Sequence, residues 1–132
     1  MRYSVLFVLF LTACAQSEET FDVGDKRLIG HWEWAKTEDF EPENYYEQLQ
    51  TPELVGRTER LEFTEEGEFV KTVNDERADL GVFETYGDGK LRMSSLQESV
   101  TFNYEIQSGD LTLEALADSG VVITYIKTRP KN

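Results

Sequence analysis

Few side chains in this sequence have the means to do covalent chemistry. Cys14 is the only thiol and His31 the only imidazole. A thiolate is the most nucleophilic group a protein carries, so Cys14 is a candidate for covalent attachment. A single cysteine excludes an intrachain disulfide. A single histidine argues against a multi-histidine metal centre and against most Ser-His or Cys-His catalysis. His31 alternates with Trp32, which predicts an outward imidazole rather than a base. The chain contains no nucleophile elbow and no phosphate loop. Its carboxylates are many but unpatterned. Asp75-Glu76-Arg77-Ala78-Asp79 lacks the glycine and the ligand spacing of a calcium loop and reads as a solvated turn. The expectation is a protein with no catalytic residue, no metal and no cofactor.

The 132 residues carry 26 acidic and 13 basic side chains, a formal net charge of −13. A chain this acidic repels phosphate, which argues against a nucleic acid partner. It also gains nothing electrostatically from an anionic bilayer. The length fits one domain. The apolar fraction of 39% supports one modest core rather than a disordered chain.

The elements that position Cys14 are local. A short basic start, Met1-Arg2, leads into seven apolar residues, Val5 to Leu11, and then into Thr12-Ala13-Cys14. The apolar run is far short of the ~20 residues that span a bilayer, and has the anatomy of a secretory signal peptide. Leu11-Thr12-Ala13-Cys14 resembles the lipobox of bacterial lipoproteins. The resemblance implies that residues 1–13 are removed and that Cys14 carries the lipid, a covalent membrane anchor. Two or three acyl chains, at roughly 0.8 kcal/mol per buried CH₂, hold such a protein firmly. Ala15 in the following position implies, by the same resemblance, sorting to the outer membrane, on its periplasmic face or at the cell surface. Residues 14–27 read as an acidic tether.

Residues 28–132 read as the folded domain. Runs of alternating polarity at Leu28–Thr37, Thr58–Thr64, Glu68–Val73, Leu80–Tyr86, Lys90–Ser95, Ser99–Gln107, Leu111–Leu116 and Val121–Arg129 are separated by Gly-, Asn- and Asp-rich turns. The spacing predicts an all-β, antiparallel up-and-down meander of about eight strands. Closing it into a barrel removes the exposed edges. Glu38–Gly56 differs. Pro42, the acidic residues beside it and the i, i+4 pair Tyr45 and Leu49 predict a short helix within this long first connection, ended by Pro52.

Gly30-His31-Trp32 on the first strand resembles the Gly-x-Trp signature of lipocalins, and the resemblance to small bacterial lipocalin-like lipoproteins extends over Leu28–Arg129. It implies that Trp32 packs at the closed end of the barrel against Arg129 of the last strand, and that the first connection folds over the open end. Inward parity makes Trp34, Phe63, Phe83, Phe102, Tyr104 and Tyr125 candidates to line a pocket for a small hydrophobic ligand. Phe69, Met93 and Leu113 share that parity. A barrel filled by its own side chains is the alternative. In that case the domain serves as an acidic interaction module for a basic envelope protein.

Overall fold

The computed structural model of the chain describes residues 24–40, 48–118 and 120–129. The signal segment, Cys14, Tyr45 and Tyr46 lie outside them. Nine strands form one antiparallel sheet: β1 (Gly30–Asp39), β2 (Leu49–Gln50), β3 (Glu59–Phe63), β4 (Glu68–Val73), β5 (Glu76–Tyr86), β6 (Lys90–Ser95), β7 (Ser99–Gln107), β8 (Asp110–Ala115) and β9 (Val121–Thr128). From β3 to β9 each strand pairs with its successor. β9 then pairs with β1, from His31↔Thr128 to Asp39↔Val121, and this closes an eight-stranded barrel. The other edge of β1 is shared. Gly30 to Glu33 pair with β3, while Thr37 and Glu38 pair with the added strand β2.

The turns follow from residues that tolerate positive φ. Asn74 and Asp75, at φ 51° and 65°, make the two-residue β4–β5 turn, and Ser108-Gly109 does the same between β7 and β8 at 51° and 85°. Gly81 serves a different need. A Cβ there would stand 2.0 Å from the Ser94 carbonyl oxygen and 2.9 Å from the Phe69 ring, so only glycine lets β5 and β6 approach with Phe69 tucked beneath.

The core runs down the barrel axis. Trp32, Trp34, Leu61, Phe63, Phe69, Phe83, Leu91, Leu111, Leu113 and Tyr125 are buried together with Leu28. Phe63 and Phe83 meet edge to face with centroids 4.9 Å apart, a favoured aromatic geometry. Met93, Phe102 and Tyr104 pack against this cluster while remaining partly exposed.

In the first connection, residues 41–47 of the expected helix lie outside the described residues, and Leu49, expected at its end, lies in β2. A single helical turn, α1, spans Pro52–Val55, and Pro52 begins it. Proline suits the first helical turn, where its missing N–H has no intrahelical partner. The Thr51 hydroxyl caps it by accepting from the Leu54 N–H at 3.3 Å, and Gly56 ends it in the left-handed region at φ 72°.

The closed end also differs in detail. A 3-10 turn, Lys26–Leu28, crosses it and seats Leu28 as a fully buried plug. The Trp32 indole N–H donates to the Leu28 carbonyl at 2.7 Å. The cation over the Trp32 ring is Lys127, 5.0 Å from the centroid, and not Arg129. The cause is register: Trp32 stands opposite Lys127, and Arg129 falls beyond the end of β9, exposed. Lys127 Nζ also donates to the Arg27 and Ile29 carbonyls at 3.1 and 3.0 Å. Gly30, at φ 132°, keeps clear the space through which the Lys127 stem passes. Residues 24–27, read from sequence as the end of the tether, are thus part of the packed domain.

Candidate functional site

Leu28 seals the lumen at the closed end, where a concavity of about 510 Å³ lies among Asp25, Arg27, Thr85 and Tyr104; the apolar cavity that enters the barrel lies at the other pole. There, at the pole of the β4–β5, β6–β7 and β8–β9 turns, lies a cavity of about 130 Å³; residues 41–47 of the first connection, expected to fold over this end, lie outside the described residues. The cavity wall is apolar: Leu61, Phe69, Met93, Val100, Phe102, Leu113 and Ile123 contribute, with Lys71, Asp79, Ser95 and Glu98 as charged or polar lining. Water occupies about 30 Å³ in the liquid, so this space equals about four waters, or about one benzene ring. It is below the roughly 300 Å³ at which pockets for whole drug-sized molecules begin. The rest of the lumen is filled by Trp32, Phe63, Leu91 and Leu111.

Tyr125 supplies the polar group of the inner wall. It lies on β9 opposite Trp34 on one side and Leu111 on the other, and only 5% of its surface is exposed. Among the described residues no group hydrogen-bonds its hydroxyl, which borders the cavity. Burial pushes the phenol pKa upward, and the negative charge of Glu59 adds to the rise, so the hydroxyl is neutral at any physiological pH.

Glu59, buried at the start of β3, is paired with two cations. It accepts from Arg57 Nε at 2.8 Å, and Lys71 Nζ stands 3.3 Å from its other oxygen. The Arg57 guanidinium lies 5.2 Å from the Trp34 ring centroid, and the Trp34 indole N–H donates to the Thr37 hydroxyl at 3.0 Å. These contacts fix the wall on the β1–β3 side and engage the Lys71 ammonium within the protein.

Of the six aromatic residues expected to line a pocket, the structure brings Phe102 and Tyr125 to the cavity. Trp34, Phe63 and Phe83 sit in the packed core instead. Tyr104 points to the opposite pole, where its hydroxyl donates to Asp25. Sequence reasoning passed over Lys71 and Glu98 and read Asp79 as part of a solvated turn, whereas it stands within β5. A usable signal existed for two of them. Lys71 shares the parity of Phe69, and Asp79 that of Phe83, so both are charges on an inward face near a strand end, which marks a rim. Asp25 carried no such signal, because its partners are distant in sequence.

Among the described residues no group of three or more His, Cys, Asp or Glu side chains is placed to hold a metal ion. No helix among them is long and apolar enough to cross a membrane. Compared with protein-family models, curated proteins and solved structures, the chain matches none. Fold and site therefore define it by physics alone, as a closed antiparallel barrel with one sealed pole and one pole holding a small apolar cavity.

Proposed function

We propose that this protein is a lipid-anchored envelope protein whose barrel receives a small apolar group at its open pole. The observation that carries the ligand reading is Tyr125, a residue only 5% exposed that lines a mostly apolar cavity and makes no hydrogen bond among the described residues. An occupant that hydrogen-bonds its hydroxyl would be favoured over one that cannot. The lipobox residues Leu11-Thr12-Ala13-Cys14 support the anchor. The chain joins the barrel at its sealed pole, so a tether leading to Cys14 would leave the mouth facing away from the membrane.

Titration of the full chain with hexanol, followed through side-chain methyl resonances, tests the cavity. Met93, Leu113 and Ile123 should shift, while Leu91 and Leu111, buried away from the cavity, should not. Unchanged spectra would remove the ligand reading. The anchor is tested separately. Cys14→Ser should leave an unprocessed precursor that incorporates no labelled palmitate, and labelling of that variant would exclude Cys14 as the attachment point.

A second reading, an acidic module for a basic envelope protein, draws on the largely filled lumen and the net charge of −13. It gains if hexanol leaves the spectra unchanged and a basic partner is retained at low salt but released at high salt.

A further inference from the structure

Resting on the cavity reading, we propose that the occupant is a small amphiphilic amine, with its apolar body in the cavity and its protonated nitrogen held by Tyr125, Asp79 and Glu98. The cavity is small enough that one ligand touches both its inner wall and its rim. Three acidic or basic side chains line it, and they are not equivalent. Lys71 faces Asp79 across the β4–β5 ladder, but its ammonium is engaged by Glu59 at 3.3 Å. Asp79 and Glu98 have no ion-pair partner among the described residues. Asp79 Oδ1 accepts from the Leu80 N–H at 2.9 Å, which leaves its second oxygen available. Arg57 and Lys71 share the single charge of Glu59, so with Asp79 and Glu98 the groups at and behind the rim sum to one negative charge.

Tyr125, nine-tenths buried and without a hydrogen bond among the described residues, is the independent feature of the lining that favours an occupant with a polar group. The Tyr125 hydroxyl could donate to a carboxylate headgroup or accept from an ammonium. A carboxylate headgroup would meet Asp79 and Glu98 at the rim in a chain of net charge −13, with Lys71, already held by Glu59, as the one cation in the lining. An ammonium donates one N–H to Tyr125 and faces the rim carboxylates with the rest of its charge. The long-range field of the protein also concentrates cations at the mouth and disperses anions. A fatty acid is thus the wrong occupant for this barrel, and an organic amine the right one.

Three probes with one body and different heads decide the matter: hexylamine, hexanol and hexanoate, titrated into the full chain at neutral pH and low salt and read through the Met93 and Ile123 methyl resonances. Hexylamine should bind about tenfold more tightly than hexanoate, with hexanol between, and the gap should narrow as salt rises. The double variant Asp79→Asn, Glu98→Gln should bring amine and carboxylate to within about twofold of each other. Neither side chain belongs to the buried core, so its thermal melt should match the parent. Tyr125→Phe should weaken hexylamine severalfold and hexanol less. Hexanoate binding as tightly as hexylamine, or an amine preference that survives the double variant, overturns the proposal while the cavity reading stands. Failure of all three probes to bind overturns both.

Discussion

Tyr104 of β7 donates its hydroxyl to Asp25 Oδ2 at 2.8 Å, joining residues 79 apart in the chain. The same carboxylate accepts from the Arg27 backbone N–H and from its guanidinium, while the Asp25 N–H donates to the Thr85 hydroxyl at 3.1 Å. Asp25 thereby ties the segment leading into the barrel to β5 through its backbone N–H and to β7 through its carboxylate. The Arg27 side chain, with Tyr104 and the Arg27 backbone adding to it, outweighs the opposing effect of burial and lowers the Asp25 pKa from 3.8 to about 2.

A depressed carboxylate stabilises the fold above its unfolded pKa, and the gain is lost as pH falls through the folded value. The Asp25 contribution should therefore be complete above pH 3.8 and fade towards about 2. Melting curves by circular dichroism should show the wild type losing more stability across that interval than Asp25→Asn, which starts lower. Parallel slopes for the two proteins would show that the clamp is not ionic. On the alkaline side, burial and then the Asp25 hydrogen bond raise the Tyr104 pKa from 10.0 to about 12. Its share of the stability should be full below pH 10 and decline as pH rises towards that value.

Lys127 over Trp32 gives a second test. Lys127→Met removes a cation–π contact and two hydrogen bonds to carbonyls, so it should destabilise by about 1–2 kcal/mol in urea unfolding. Arg129→Ala should stay within about 0.5 kcal/mol, as an exposed residue with no special contact does. The reverse ranking would return the closed-end contact to Arg129.

Trp32→Ala should cost about 3–5 kcal/mol, because a fully buried indole leaves a cavity the barrel cannot collapse around. The same urea series measures it, and an unchanged midpoint would mean that Trp32 does not pack in the core.

Gly81→Ala should cost about 1–3 kcal/mol through overpacking, since the new methyl meets backbone and an aromatic ring. Gly56→Ala has open space and only its positive φ against it, so it should cost less. If Gly81→Ala is the milder of the two, the close approach of β5 and β6 is not a constraint.

The strands and turns were largely legible because each is written locally. Asn74-Asp75 and Ser108-Gly109 announce left-handed turns, and alternation gives the inward face of the strands between them. What alternation lacks is axial position. Lys127 and Arg129 share a face, and only the ladder register shows which one reaches Trp32. Phe83 and Phe102 are both inward, but only their height along the barrel decides that one is core and the other cavity wall. Tyr104 and Tyr125 read identically in sequence, yet Asp25 claims one hydroxyl and nothing among the described residues claims the other. Pro52 is ambiguous for a similar reason: proline is compatible with the end of one helix and the start of the next, and Thr51 decides in favour of a start.

The seam between β1 and β9 governs how the chain matures. The first long strand takes its most extensive ladder from the last one, and only four residue pairs from β3. Until Val121–Thr128 has left the ribosome, His31–Asp39 has most of one flank unmatched. Ring closure of this kind joins distant ends of the polypeptide, so folding is slow and completes after synthesis. A chain cut short anywhere before its final strand is therefore left with an open seam along its first.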